Sequence, residues 1–82
     1  MGIKYTDQGD LYLEHPLEDD IMEFVNKVYE QFLTEDRTIK WLRSFMGKAT
    51  GYVECQRSYG SLTVDSARPI MQRIRGIEGF WP

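Results

Sequence analysis

The stretch LEDDIMEFVNKVYEQFL, residues 17–33, carries the clearest helical periodicity in the chain. At about 100° per residue, its apolar side chains fall within one half-circle and its charged and amide side chains fill the opposite arc. This pattern predicts an amphipathic helix with a broad apolar face. Glu18, Asp19 and Asp20 lie in its first turn, where the helix macrodipole favours negative charge.

A second helix is predicted directly after the first, over residues 37–46. Thr34 is a suitable N-cap, and Glu35 and Asp36 would lie in the first turn. Gly47 suits the C′ position, where a left-handed residue commonly ends a helix. The predicted apolar face consists of Ile39, Trp41, Leu42, Phe45 and Met46.

Two β-hairpins are predicted to flank the helices. Residues 3–6 and 11–14 alternate in polarity around Gly9, and Pro16 would end the second strand. Residues 52–57 also alternate, with residues 61–64 as the partner strand after a turn at Tyr59 and Gly60. A third helix would follow, capped by Asp65 or Ser66, with Pro69 in its first turn and its end marked by Gly76 and Gly79.

These elements predict a small α+β domain that spans residues 1–82, in the order β-β-α-α-β-β-α. Antiparallel hairpins would pack against helices that cover one face of the sheet. The alternative is a mainly helical domain with one or two small hairpins. A chain of 82 residues has room for one hydrophobic core, which would bury roughly 60% of the surface that the unfolded chain exposes.

Composition excludes several classes of protein. With one cysteine and one histidine, the chain can form neither an internal disulfide nor a Cys/His zinc site. It has no apolar run of about 18 residues and no apolar N-terminal segment typical of a signal peptide. We therefore expect a cytoplasmic protein without a membrane segment, a metal or a cofactor.

Catalytic patterns are weak, and we expect no enzymatic activity. Cys55 alternates in phase with Val53, which favours the buried side of a strand, where cysteine behaves as a small apolar residue. His15 precedes a proline in a loop. Residues 47–51 have the composition of a phosphate-binding loop but not its spacing. An enzyme that uses Cys55 or His15 is the least favoured hypothesis.

The net charge of −3 conceals a division within the chain. Residues 1–36 contain ten acidic and two basic residues, a balance of −8, whereas residues 37–82 contain eight basic and three acidic residues, a balance of +5. Such asymmetry suggests charged binding surfaces. The alternative is that the two halves pack together and neutralise each other.

The leading functional hypothesis is a small non-enzymatic protein that binds, and inhibits, a macromolecular partner. In size and charge distribution the chain resembles the small inhibitors encoded by phages and mobile elements, which implies a viral protein with a protein partner. A homodimer is a further form of this hypothesis, because the broad apolar face and the terminal Phe80 and Trp81 offer surface for an interface. The candidate partner-binding residues are Asp19, Asp20, Glu23, Glu30, Arg37, Lys40, Arg43 and Trp81.

The alternative hypothesis is binding of a nucleotide or a short RNA by the basic, aromatic second half. Arginine forks match phosphate oxygens, and aromatic rings stack on bases. The sequence pI of about 5.0 opposes this hypothesis, because nucleic-acid-binding domains usually exceed about 9. The candidate phosphate-binding residues are Lys48, Tyr52, Arg57, Tyr59, Arg68, Arg73 and Arg75.

Overall fold

The structure, a computed structural model, describes residues 3–14 and 18–79. Two short strands, β1 (Ile3–Tyr5) and β2 (Leu11–Leu13), precede three helices. The helices are α1 (Glu18–Thr34), α2 (Ile39–Ser58) and α3 (Val64–Glu78), and each packs against the other two. The α+β class is therefore confirmed, but the described order is β-β-α-α-α.

The first predicted hairpin is confirmed. β1 and β2 pair antiparallel, with Ile3 opposite Leu13 and Tyr5 opposite Leu11. Gly9 lies in the turn between the strands with a φ of 84°. This left-handed backbone favours glycine because an L side chain is strained there. Leu11 and Leu13 point into the core and anchor the hairpin. The proposed end of the strand at Pro16 lies outside the described residues.

The helix predicted over residues 17–33 is confirmed as α1, with Leu17 outside the described residues. Its inward face buries Ile21, Phe24, Val25 and Val28. The acidic residues Glu18, Asp19 and Asp20 lie in its first turn, as predicted. This helix therefore packs one continuous apolar face against the core.

The predicted start of the second helix is wrong. Thr34 ends α1 and its hydroxyl donates to the Glu30 carbonyl at 2.9 Å, whereas Thr38 caps α2 by accepting from the Trp41 amide at 3.1 Å. Asp36 has a φ of 54° and lies in the connection between the helices. A left-handed residue there ends the first helix, so the acidic pair cannot occupy the first turn of the second.

The second predicted hairpin is also wrong, because α2 continues through Gly47 and Gly51 to Ser58. Neither glycine ends the helix; both are exposed and face away from the core. The inward residues maintain helical spacing across both glycines, and their burial outweighs the unfavourable helix propensity of glycine. They are Leu42, Phe45, Met46, Ala49 and Val53.

The α2 helix ends at Gly60, whose φ is 78°. The Gly60 amide donates to the Arg57 carbonyl and the Ser61 amide donates to the Gln56 carbonyl, which is the Schellman pattern. Thr63 then caps α3, since its hydroxyl accepts from the Ser66 amide at 3.0 Å. The cap is thus neither Asp65 nor Ser66.

Two further details of the third helix differ from the prediction. Pro69 lies in the second turn of α3 rather than the first, and Gly76 lies within the helix. Only Gly79 marks its end, as the C-cap residue. Pro69 is exposed, so its ring projects into solvent and does not disturb the buried face. All three helices and β2 contribute to one cluster of buried apolar side chains, which also includes Leu62 from the turn before α3.

Replacing Gly47 or Gly51 by alanine tests the continuity of α2. A Cβ at either position meets no atom within 4 Å, and glycine inside a helix costs about 0.5–1 kcal/mol relative to alanine. We expect urea unfolding to show a rise in the free energy of unfolding of about that amount for each variant. Gly60→Ala is the control and should destabilise by about 1 kcal/mol, because its left-handed backbone disfavours a side chain. Loss of stability at both helical positions would contradict the continuous helix.

Replacing Tyr52 by phenylalanine tests how the hairpin is held. The Leu13 amide donates to the Tyr52 hydroxyl at 3.2 Å in a partly buried contact. Losing the acceptor should cost about 1 kcal/mol in urea unfolding and should lower the exchange protection of the Leu13 amide. Tyr59→Phe is the matched control, since this side chain is exposed and should change stability by less than about 0.5 kcal/mol. Equal effects of the two variants would contradict the anchoring role.

Candidate anion-binding groove

A shallow groove with a volume of about 320 Å³ lies beside α3, where the end of α2 approaches it. Arg57 projects from the last turn of α2, and Arg68 and Arg75 project from α3. Three of the bases assigned to the alternative hypothesis therefore come together. The described residues that line this arginine groove are Arg57, Val64, Ala67, Arg68, Met71, Gln72 and Arg75.

The spacing of residues along α3 creates this surface. Val64, Arg68, Met71 and Arg75 recur at intervals of four, three and four, which places them along one face of a helix. Val64 is 55% exposed, although it is apolar. The buried residues of α3 lie to one side of this face, so the groove runs along the flank of the helix rather than over the core.

Two of the three arginines have no acidic partner in the described part of the chain. Arg68 approaches Asp65 at 3.7 Å, but both side chains are exposed and such a pair contributes little. Arg57 and Arg75 form no ion pair with any described residue. The groove therefore presents like charges that an anion would neutralise.

The groove combines positive charge with an apolar floor. Guanidinium groups offer paired donors that match a carboxylate or a phosphate. Val64, Ala67 and Met71 supply apolar surface between them. Sequence reasoning missed these floor residues. The sequence signal that could have revealed two of them is the helical spacing, because Val64 and Met71 recur with Arg68 and Arg75 at intervals of four, three and four.

The other predicted phosphate-binding residues lie elsewhere. The Lys48 ammonium lies 4.9 Å from the Phe45 ring centre. Arg73 donates to the Asn26 side chain at 3.0 Å and lies 5.5 Å from the Tyr29 ring centre, so it faces α1. Tyr52 packs edge-on against Phe24 in the core, and Tyr59, the 78% exposed C-cap of α2, does not line the groove.

The predicted partner-binding bases occupy the start of α2 and the connection before it. The Arg37 guanidinium stacks on Trp41 at 4.9 Å and approaches Glu35 at 4.0 Å. The buried Nε of Arg37 and Nε1 of Trp41 have no hydrogen-bond partner among the residues that the structure describes. Lys40 and Arg43 are exposed on α2 and do not line the arginine groove. These bases and the groove bases therefore form separate surfaces.

The predicted acidic residues lie on α1. Asp19 and Glu30 are exposed, and Glu23 and Asp20 are half-buried. Asp19, Glu23 and Glu30 form no ion pair with any described residue. Folding therefore leaves their charge available at the surface rather than neutralised against α2 or α3. Trp81, the last predicted partner-binding residue, lies outside the described residues.

The prediction of a buried Cys55 is wrong. Its position follows from the continuous α2, because the helix turns Val53 inward and Cys55 outward into solvent. His15, its hypothetical catalytic partner, lies outside the described residues. Residues 47–51 form part of the helix, so their amides are committed to helical hydrogen bonds and cannot cradle a phosphate.

Within residues 3–14 and 18–79, no cluster of three or more acidic, His or Cys side chains is arranged to hold a metal ion. Across the same residues, no helix combines the length and apolarity needed to cross a bilayer. Comparisons of the chain with protein families, curated proteins and solved structures find no match.

The exposure of Cys55 predicts a freely reactive thiol. We expect Ellman's reagent to modify it in the native protein at a rate close to that in concentrated urea. The control places a cysteine on the buried side of the same helix, as Ala49→Cys in a Cys55→Ser background, since Ala49 is fully buried. That thiol should react only after unfolding. Equal protection of the two thiols would contradict the assigned orientation of α2.

Proposed function

We propose that this chain is a small non-enzymatic binding protein that holds an acidic, amphipathic segment of a protein partner in the arginine groove. The observation that carries the proposal is the convergence of Arg57, Arg68 and Arg75 from two helices, with Arg57 and Arg75 unpaired among described residues. Carboxylates of the partner would pair with the guanidinium groups. By covering that segment, the protein would inhibit its partner.

The apolar floor favours a peptide over a nucleic acid. Val64, Ala67 and Met71 can receive aliphatic side chains, and burial of apolar surface would add to the charge pairing. No aromatic ring is among the described lining residues, although stacking supplies much of the affinity for single strands. The acidic surface of α1 would also repel a long polyanion.

A non-enzymatic role is consistent with the chemistry of the groove. The described lining residues include no Ser, Cys, His, Asp or Glu that could act as nucleophile or general base. Guanidinium groups offer several N–H donors and no acceptor, so the groove is suited to binding anions.

Binding of a nucleotide or short RNA is the second candidate function. The same three guanidinium groups support it, because their forks fit phosphate oxygens as well as carboxylates. Its binding would be lost steeply with increasing salt, since phosphate contacts release counterions.

The direct test measures binding of defined probes by fluorescence anisotropy. The first probe is a labelled helical peptide about two heptads long, with glutamates one heptad apart and leucines between them. We expect binding to weaken by roughly 10- to 100-fold in the triple variant Arg57→Ala, Arg68→Ala, Arg75→Ala. Three exposed charge pairs of about 0.5–1 kcal/mol each account for that loss.

The matched control removes three basic side chains outside the groove, in the variant Lys27→Ala, Lys40→Ala, Arg43→Ala. It changes the net charge equally and should leave peptide affinity within about twofold. It also tests the sequence-based assignment of Lys40 and Arg43. Groove-dependent binding of a single-stranded RNA probe with no binding of the peptide would overturn the proposal in favour of the second candidate. Equal losses in both triple variants would show non-specific charge attraction and would also overturn it.

A further inference from the structure

The outward face of α1 carries a regular stripe of five residues. They recur at intervals of four, three, four and three, which places them along one line of the helix opposite its buried face. Three of them are acidic, and the central Asn26 accepts from Arg73 of the same chain. The last, Leu33, is an apolar side chain that is 61% exposed. The α1 outer stripe consists of Asp19, Glu23, Asn26, Glu30 and Leu33.

The arginine groove repeats this spacing with the opposite charge. Arg68 and Arg75 are one heptad apart on α3, and Glu23 and Glu30 are one heptad apart on α1. Each separation corresponds to about 10.5 Å along a helix axis. An exposed apolar residue stands beside each charged pair, Val64 on α3 and Leu33 on α1. The two surfaces therefore match in charge, in spacing and in the position of the apolar contact.

An antiparallel alignment brings all three matches together. It places Leu33 against Val64, Glu30 against Arg68 and Glu23 against Arg75. The parallel alignment pairs the charges equally well but places Leu33 against Glu78 and Asp19 against Val64. Only the antiparallel alignment buries apolar surface, because only there does Leu33 pack against Val64. At its other end Asp19 meets Glu78, a repulsion that solvent screens.

One copy of the chain cannot make this contact with itself. The flank of α3 that faces α1 carries Arg73, which bonds to Asn26, whereas the groove lies on the flank where Arg57 of α2 approaches. No described residue of α1 lines the groove. The α1 outer stripe and the arginine groove are thus separate surfaces of the same molecule.

We infer that the arginine groove of one copy binds the α1 outer stripe of a second copy. This inference rests on the proposed function, because it identifies one acidic helical segment that the groove accepts. The contact joins different surfaces of the two copies, so a single contact leaves one groove and one stripe free, and further copies can fill them. A protein partner with a similar stripe would compete with self-association for the same groove.

Sedimentation equilibrium of the full chain tests the inference. At low salt we expect the average mass to rise above 9.7 kDa with increasing concentration. At about 0.5 M salt, where the screening length falls to roughly 4 Å, it should return to that of the monomer. The groove variant Arg68→Glu, Arg75→Glu and the stripe variant Glu23→Lys, Glu30→Lys should each remain monomeric. Circular dichroism verifies that both are folded.

Mixing the two variants gives the sharpest result. Each retains one half of the contact, and the two reversed halves also attract each other, so an equimolar mixture should associate although neither variant does so alone. The control, Asp7→Lys with Glu54→Lys, reverses two exposed acids away from the stripe and should associate like the unmodified protein. Failure of the mixture to associate would overturn the inference.

The outcome separates this inference from the proposed function. An unmodified chain that stays monomeric at low salt but binds the acidic peptide in its groove would overturn self-association and leave the proposed function intact. The chain could instead self-associate, lose this association in the groove and stripe variants, and fail to bind the acidic peptide. That result would support the inference and contradict a foreign peptide as the partner. Self-association that survives the groove variant would overturn the inference.

Discussion

The ring of Phe24 on α1 packs against two aromatic rings of α2. It is fully buried, and its centre lies 6.2 Å from that of Phe45 and 5.5 Å from that of Tyr52. Those two partners are one heptad apart on α2, so they share one face of the unbroken helix and a single ring contacts both. The Tyr52 hydroxyl in turn accepts from the Leu13 amide. One aromatic contact thus joins α1, α2 and the hairpin.

The packing of Phe24 against α2 also determines the position of the arginine groove. Because α2 must remain helical past Tyr52, its last turn carries Arg57 to the start of α3, and the left-handed Gly60 then reverses the chain. A hairpin at this point would have turned Arg57 along a strand and left α3 without a neighbour on that flank. The groove therefore follows from packing in the core more than from any local motif.

The sequence allows the first hairpin and α1 to be predicted because each has only one suitable periodicity. Residues 52–57 are ambiguous over so short a window: Tyr52 and Val53 favour strands, and six residues of alternation can be mistaken for part of a helical pattern. The ambiguity disappears when the apolar positions are followed from Phe45 through Ala49 to Val53. The glycines at 47 and 51 concealed that continuity, since glycine usually marks an end of a helix.

The sequence did not allow the candidate bases to be grouped, for the same reason. The bases were identified one by one, but grouping them requires knowing which way each helix face turns, and the incorrect hairpin placed Tyr52 and Arg57 in a strand rather than in α2. Folding also shows why the net charge of −3 says little about binding. The acidic residues of the α1 outer stripe and the arginines of the groove lie on separate surfaces, so a partner meets a strong local field of one sign. Like charges gathered in one groove do not stabilise the fold, and an acidic partner would relieve their repulsion.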